Sequence, residues 1–339
     1  MTPRQRPQIR VFLAYTDSEL DRYYSTDALA VLQDCAQVVR NTSGRVLEGV
    51  DLANAASECH VVIAHRSVAG TDAAFARMPN LLAFLRCAVD ISTIDVNAAS
   101  ARGILVTRAT RGFGQAVAEL GLGMMINLAR GISRADHAYK LDKLFVPQKS
   151  AQLSGAVLGI VGFGLIARHL AALGRGIGMR VIVCDPHVPT EQLGDMARPF
   201  SSLLAESDFV VCLAASTAET ANLFDARAMA AMKRGAFLIN LSRGELVDEP
   251  ALEAALDAGH IRGAGLDVGS GHDQMPTARL AVRPDVIATP HIGGMTVTAR
   301  AHQAMDTVRQ LVAIAAGQMP EGAANPEKAF RLLNFFASC

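Results

Sequence analysis

The sequence predicts an α/β protein made of two doubly wound parallel sheets, and two observations carry that prediction. Short apolar runs alternate with amphipathic stretches along most of the chain, as parallel strands joined by crossover helices do. One of these runs, 157–161, opens into Gly162-Phe163-Gly164-Leu165-Ile166-Ala167 and then a helical pattern through Leu170 and Leu173. Gly-x-Gly-x-x-Ala between a strand and a helix has a definite physics. Gly162 allows the tight turn, Gly164 lets the backbone approach a pyrophosphate, and the small Ala167 lets helix and strand pack closely. The helix start, at Leu165 and Ile166, offers free N–H groups and a positive dipole end to phosphate. A second strand, 179–184, ends in Asp185, about 20 residues further on, where a carboxylate accepts both ribose hydroxyls of an adenosine. These residues point to bound NAD.

Taken in order, residues 1–110 read as an α/β unit of their own. Strands are expected at 9–14, 61–64, 81–85 and 104–106, with helices at 26–33 and 93–101. This unit has no glycine fingerprint, so its expected task is to present the substrate. From Gln115 a long amphipathic helix is expected, with Val117, Leu120, Met124, Leu128 and Ile132 on one face. The stretch 139–152, with Pro147, reads as a connecting loop. The fingerprint unit then continues with strands at 209–213, 236–241, 263–268 and 286–288, six in all, and helices at 225–232 and 249–258. A last helix, 298–316, is expected to return to the first unit and make it discontinuous. The expected division is therefore 1–110 with 294–339, and 111–293.

Composition excludes several classes. The chain has 339 residues, half of them hydrophobic, with 32 basic and 32 acidic side chains and no formal net charge. Nothing in that balance points to nucleic acid or to an anionic membrane. The basic start (Met1 to Arg6) is followed by too short an apolar run for a signal peptide, and no run approaches membrane-spanning length. The six cysteines are scattered without a C-x-x-C pair, so a reducing compartment, the cytoplasm, is expected. No metal-ligand cluster stands out.

Three further stretches carry chemistry. A strand ends in Ser242-Arg243-Gly244, which puts an arginine at the carboxyl edge of the sheet. There Arg243 can grip a carboxylate with a planar fork and polarise a neighbouring carbonyl. The alternative is a surface arginine paired with Asp248 or Glu245. Asp267 ends the next strand, either to receive a nicotinamide carboxamide or to cap the loop that follows. His291, in Pro290-His291-Ile292-Gly293-Gly294, stands just after the last strand on a glycine-rich loop, and its ordinary pKa suits proton transfer near neutrality.

With these residues in place, the chain resembles the D-isomer-specific 2-hydroxyacid dehydrogenase family over nearly its whole length. The matching pieces begin with Ile94-Asp95-x-x-Ala98-Ala99-x-x-Arg102-Gly103-Ile104-x-Val106 and Val117-Ala118-Glu119. The fingerprint with Asp185 follows, then Thr217-x-Glu219-Thr220 and Met232-Lys233-x-Gly235-x-x-x-Ile239-Asn240. Ser242-Arg243-Gly244-x-x-Val247-Asp248, Leu266-Asp267-Val268 and Pro290-His291-Ile292-Gly293-Gly294 complete the set. The resemblance implies two Rossmann-like/flavodoxin-like domains with the active-site cleft between them, a homodimer, and hydride transfer between nicotinamide and the C2 of a 2-hydroxy acid. It gives His291 the hydroxyl proton and Arg243 the substrate carboxylate. Ser242, Asp267, Gly293 and Gly294 join the fingerprint residues as cofactor contacts. Asp185, with no arginine after it, favours NADH over NADPH.

The sequence also departs from the family. Members usually carry a glutamate, shortly after the aspartate matching Asp267, that bonds the catalytic histidine and raises its pKa. Here the stretch reads Asp267-Val268-Gly269-Ser270-Gly271-His272-Asp273-Gln274-Met275-Pro276, with no glutamate. His272, Asp273 and Gln274 all fall near its place, and Asp273 is the expected partner of His291. The substrate loop, usually Gly-x-Gly-x-Asp, reads Ala88-Val89-Asp90-Ile91-Ser92, so Val89 and Asp90 line it and the acid repels an anionic substrate unless its side chain points away. Arg66, in His65-Arg66-Ser67, is expected to restore positive charge. Ala214-Ala215-Ser216 stands where a proline is usual. A catalytically weak NAD(H)-sensing scaffold of the co-repressor type is the alternative function. Small, phosphorylated and aromatic acids all remain open as substrates, and a 3-phosphoglycerate specialist is disfavoured because no regulatory domain follows Cys339.

Overall fold

Parallel pairing organises both halves of the chain. The computed structural model describes residues 9–110, 112–141, 143 and 150–338. Pro147 and the basic first six residues lie outside that set. Two compact units form, one from residues up to Gly112 together with those from Val297, the other Phe113–Thr296.

The first unit holds a five-stranded sheet of β1 (Arg10–Leu13), β2 (Gln37–Arg40), β3 (Val61–Ala64), β4 (Ala83–Arg86) and β5 (Leu105–Arg108). Every neighbour is parallel and the order is β2-β1-β3-β4-β5, the flavodoxin-like order. Its three inner strands β1, β3 and β4 are apolar and buried almost throughout, as strands covered on both faces must be. The helix Val297–Ala315 belongs to this unit and lays Ala304, Val308, Leu311 and Ile314 into the core beside Val11, Leu13 and Ile63.

The second unit carries six strands: β6 (Val157–Val161), β7 (Arg180–Cys184), β8 (Phe209–Cys212), β9 (Phe237–Asn240), β10 (Gly263–Leu266) and β11 (Val286–Ala288). All are parallel, in the order β11-β10-β9-β8-β6-β7. Beyond β7 one isolated parallel bridge joins Val183 to Ala197. The chain therefore reverses its winding between β6 and β8, and in such sheets that crevice takes the ligand. The helix Leu165–Gly176 packs so closely on β6 that a Cβ on Gly174 would come within 2.8 Å of Leu158 Cδ2.

Two expectations are corrected. The long helix is two: Gly114–Arg130 ends where Gly131 turns left-handed (φ +66°), and Ile132 opens a separate helix, Ile132–Lys140, with half its surface exposed. The expected loop from Tyr139 thus begins as helix. The edge strand β2 was not expected, nor was the short helix Asp17–Tyr23.

Candidate active site

Because every strand of the second unit is parallel, the residues that follow them emerge on one edge. Gly162, just past β6, is buried with φ +89°, and a Cβ there would lie 2.6 Å from the backbone of Ala214 past β8. Only glycine fits. Asp185, just past β7, accepts hydrogen bonds from Phe163 N (2.7 Å) and His187 N (2.8 Å), so its carboxylate is fastened to the glycine turn itself. Gly164 differs. Its backbone is extended (φ −76°, ψ −163°), which any residue adopts, and a Cβ would meet nothing within 4 Å. The chain itself gives no reason for glycine there. Gly164 also leaves the helix Leu165–Gly176 with no side-chain cap, so the N–H groups at Leu165 and Ile166 face outward. Uncapped donors, a turn open on the side of Gly164 and a fastened acid fit the pyrophosphate and ribose of a dinucleotide.

Past β10, Asp267 is buried, and its carboxylate accepts three hydrogen bonds from the loop after β11. Oδ1 takes Thr289 Oγ1 (2.6 Å) and Ile292 N (2.8 Å), and Oδ2 takes Gly293 N (2.9 Å). Its carbonyl accepts His291 N at 3.0 Å. A Cβ on Gly293 would sit 2.9 Å from Oδ2, so glycine is needed for that approach. Asp267 thus anchors the loop after β11 that carries His291.

His291 Nδ1 lies 3.3 Å from the main-chain carbonyl of Asp273, not from a glutamate carboxylate. A carbonyl only accepts, so this contact places the ring proton on Nδ1 and leaves Nε2 for exchange. The loop reaches that position through two consecutive left-handed residues, Asp273 (φ +53°) and Gln274 (φ +57°). It is closed by Gly269 N to Gln274 O (2.8 Å) and Gly271 N to Met275 O (2.9 Å). Glu249, at the start of the helix Glu249–Asp257, accepts from Ser270 N, Ser270 Oγ and Thr277 Oγ1 and ties the loop down.

Arg243, past β9, is half-buried. Its Nη1 donates to Ser242 O (2.8 Å), Asn240 Nδ2 donates to its carbonyl (2.8 Å), and Ser242 Oγ donates to Ala214 O. Among the described residues neither Asp248 nor Glu245 pairs with it; Asp248 instead caps its own helix at Ala251 N. Gly244 lies so close to Gly269 that a Cβ would be 2.2 Å from its carbonyl. The arginine loop and the loop facing His291 are thus in backbone contact.

The second unit therefore gathers Gly162, Gly164, Leu165, Ile166, Asp185, Ser242, Arg243, Asp267, Asp273, His291, Gly293 and Gly294 along one edge. Arg66, Val89 and Asp90 belong to the first unit, past β3 and β4 on the carboxyl edge of its own sheet. Asp90 Oδ1 accepts Ser92 N at 2.8 Å in a local turn. Sequence reasoning passed over Arg86, whose only signal was a charge ending an apolar run. It is fully buried and donates to His65 O, Val68 O (2.8 Å) and Thr93 Oγ1 (2.9 Å). Glu249 was passed over as well. Among the described residues no group of side chains could hold a metal ion, and no helix is long and apolar enough to cross a membrane.

A doubly wound unit with this glycine turn and acid defines a dinucleotide-binding class. Residues 122–293, half of the chain, match the sequence profile described as "D-isomer specific 2-hydroxyacid dehydrogenase, NAD binding domain", and the chain belongs to that family. It is 31% identical over 325 residues to a D-3-phosphoglycerate dehydrogenase of Synechocystis sp., covering 94% of this chain and 58% of that one. To the Mycobacterium leprae enzyme of the same name it is 34% identical over 269 residues, 77% of this chain and 50% of the other. The chain thus spans little more than half the length of these relatives. A solved Polaromonas structure assigned to D-isomer specific 2-hydroxyacid dehydrogenases superposes with a TM-score of 0.84 at 26% identity, over 94% of this chain and 99% of its own.

Proposed function

We propose that the protein is an NAD-dependent D-2-hydroxyacid dehydrogenase working chiefly as a 2-oxoacid reductase. The observation that carries this is the company His291 keeps: a histidine anchored by Asp267, on the same sheet edge as Arg243 and a cradle fit for a dinucleotide. Residues 111–293 are read as the NAD domain and 1–110 with 294–339 as the substrate domain. Bound NADH supplies the hydride. Gly162, Gly164 and the N–H groups at Leu165 and Ile166 hold the pyrophosphate, Asp185 the ribose, and Ser242, Asp267, Gly293 and Gly294 line the rest. Arg243 grips the substrate carboxylate and polarises its oxo group, and the protonated Nε2 of His291 gives its proton to that oxygen as it becomes a hydroxyl. In the first unit, Arg66 and the main chain at Val89 and Asp90 are read as the substrate contacts.

NADH is the preferred cofactor, because the Asp185 carboxylate repels a 2′-phosphate. Free thiols at all five described cysteines suit a cytoplasmic enzyme, and a homodimer is the expected assembly. The test is consumption of NADH, with NADPH in parallel, against glyoxylate, hydroxypyruvate, its 3-phosphate, pyruvate and an aromatic oxo acid. The phosphorylated acid is included because of the relatives' names. Turnover with NADH is expected, and His291→Ala should lower kcat by about 10²–10⁴-fold. NADPH preference would overturn the cofactor reading. NADH binding without turnover on any acid would replace the enzyme by a nucleotide-sensing scaffold.

A further inference from the structure

We propose that Arg86 and Thr93 form an internal brace between the two substrate-facing loops of the first unit, making both of them positioning residues for the substrate site. The inference rests on the dehydrogenase reading for its catalytic meaning, but the brace itself stands on geometry. Arg86 ends β4 with no exposed surface, its guanidinium 5.8 Å from the Phe84 ring centre. A buried cation is costly, and an apolar side chain of similar volume usually leaves a strand as stable or more so. Burial pulls its pKa down to about 10, against the opposing fields of Tyr15, Asp90 and Cys87.

What that cost supports is a fork. One arm donates to His65 O, the other to Val68 O (2.8 Å), both in the loop after β3 that carries Arg66. The second arm also reaches Thr93 Oγ1 (2.9 Å) in the loop after β4 that carries Val89 and Asp90. Thr93 Oγ1 then donates to Arg66 O at 3.1 Å. The threonine hydroxyl thus uses its acceptor on the buried arginine and its donor on the main chain of the candidate substrate arginine, closing a ring across both loops. Further out, Gly70 N donates to Thr93 O (3.1 Å) and Asp95 N to Gly70 O (2.8 Å), which fixes the register of the same two segments.

Thr93 is exposed, so Thr93→Val removes the bridging hydroxyl without opening the core. Amide hydrogen exchange of the full-length variant without substrate reads the brace directly. Val68 and Gly70 in one loop, and Ser92 and Ile94 in the other, should exchange about tenfold faster together, the loss of one hydrogen bond to a charged group. Thr93→Ser should restore them. Exchange that rises in only one loop, or in neither, overturns the brace. In turnover, Thr93→Val should raise KM for the oxo acid about tenfold while kcat and NADH affinity change less than about threefold; an unchanged KM overturns the positioning role. Arg86→Lys, which keeps the charge but not the fork, should show the same split. If the wild-type protein turns over no oxo acid the dehydrogenase reading fails, and the exchange data still decide the brace.

Discussion

His291 holds a left-handed backbone (φ +53°), which costs a residue other than glycine about 1–3 kcal/mol and persists only where its surroundings enforce it. Asp267 enforces it, through its carbonyl on His291 N and its carboxylate on Ile292 N, Gly293 N and Thr289 Oγ1. Asp267→Asn replaces one acceptor oxygen by a donor facing a donor. It should therefore lower kcat by about 10²-fold, with about 1–3 kcal/mol lost in thermal or denaturant unfolding. Asp273 should behave in the opposite way. The atom on His291 Nδ1 is its main-chain carbonyl, which Asp273→Asn keeps, so kcat/KM of that variant should stay within about threefold of wild type. A loss beyond about thirtyfold would give the role to the carboxylate. This contact was only half legible in the sequence. The missing glutamate and the neighbourhood of Asp273 could be read there, because side-chain types carry them. That a main-chain carbonyl lies against His291 Nδ1 could not, because it depends on two left-handed residues in a loop held by Glu249, and a main-chain acceptor leaves no mark on residue identity.

At the level of elements, legibility follows burial. The inner strands of both sheets were visible as apolar runs because two covered faces demand them. β2 was not, since its four residues are only partly buried, with two apolar among them and no period. The break at Gly131 went unseen because Ile132 continues the helical spacing by chance while pointing into solvent. The glycine turn was the strongest element signal, and the structure splits its two glycines by cause. Gly162→Ala meets the Ala214 backbone at 2.6 Å with φ +89°, so the fold itself should suffer: a loss of about 1–3 kcal/mol or more in stability, and NADH binding with it. Gly164→Ala meets nothing, and its backbone suits any residue. The melting temperature should hold within about 2 °C while NADH affinity falls at least about tenfold. Calorimetry and NADH fluorescence titration on both variants separate the two. Equal loss of stability would mean that Gly164 serves the turn and not a ligand.

Across the whole molecule, the two units differ in how acid should affect them. His60 and His65 both belong to the first unit and both are held below the ordinary histidine value. Burial is the main cause for each, helped by Arg10 beside His60 and by Arg86 beside His65, while Glu19, with Oε1 3.1 Å from His65 Nε2, works against it. Their hydrogen bonds agree with neutral rings, since His60 Nδ1 accepts Arg10 N (3.1 Å) and His65 Nδ1 accepts Ser67 N (3.3 Å). Once the pH falls below about 6.5, the unfolded chain binds protons that the native unit refuses, so stability falls with pH through that window. Asp306 in the same unit works lower down. Burial pushes its carboxyl up, but hydrogen bonds from Thr110 and Arg309 outweigh burial and leave it depressed, so its contribution is lost only as the pH drops through the carboxylate range. Between about pH 7.5 and about pH 5 the histidines should therefore dominate. Hydrogen exchange across that range, corrected for the intrinsic rate, should show protection lost from β1, β3 and β4 before β6, β8 and β9. His65 packs at 5.0 Å on the Tyr15 ring and lends its carbonyl to Arg86, so the same acid should loosen the loop that carries Arg66. If both sheets lose protection together, or the second loses it first, His60 and His65 do not set the acid limit of this protein.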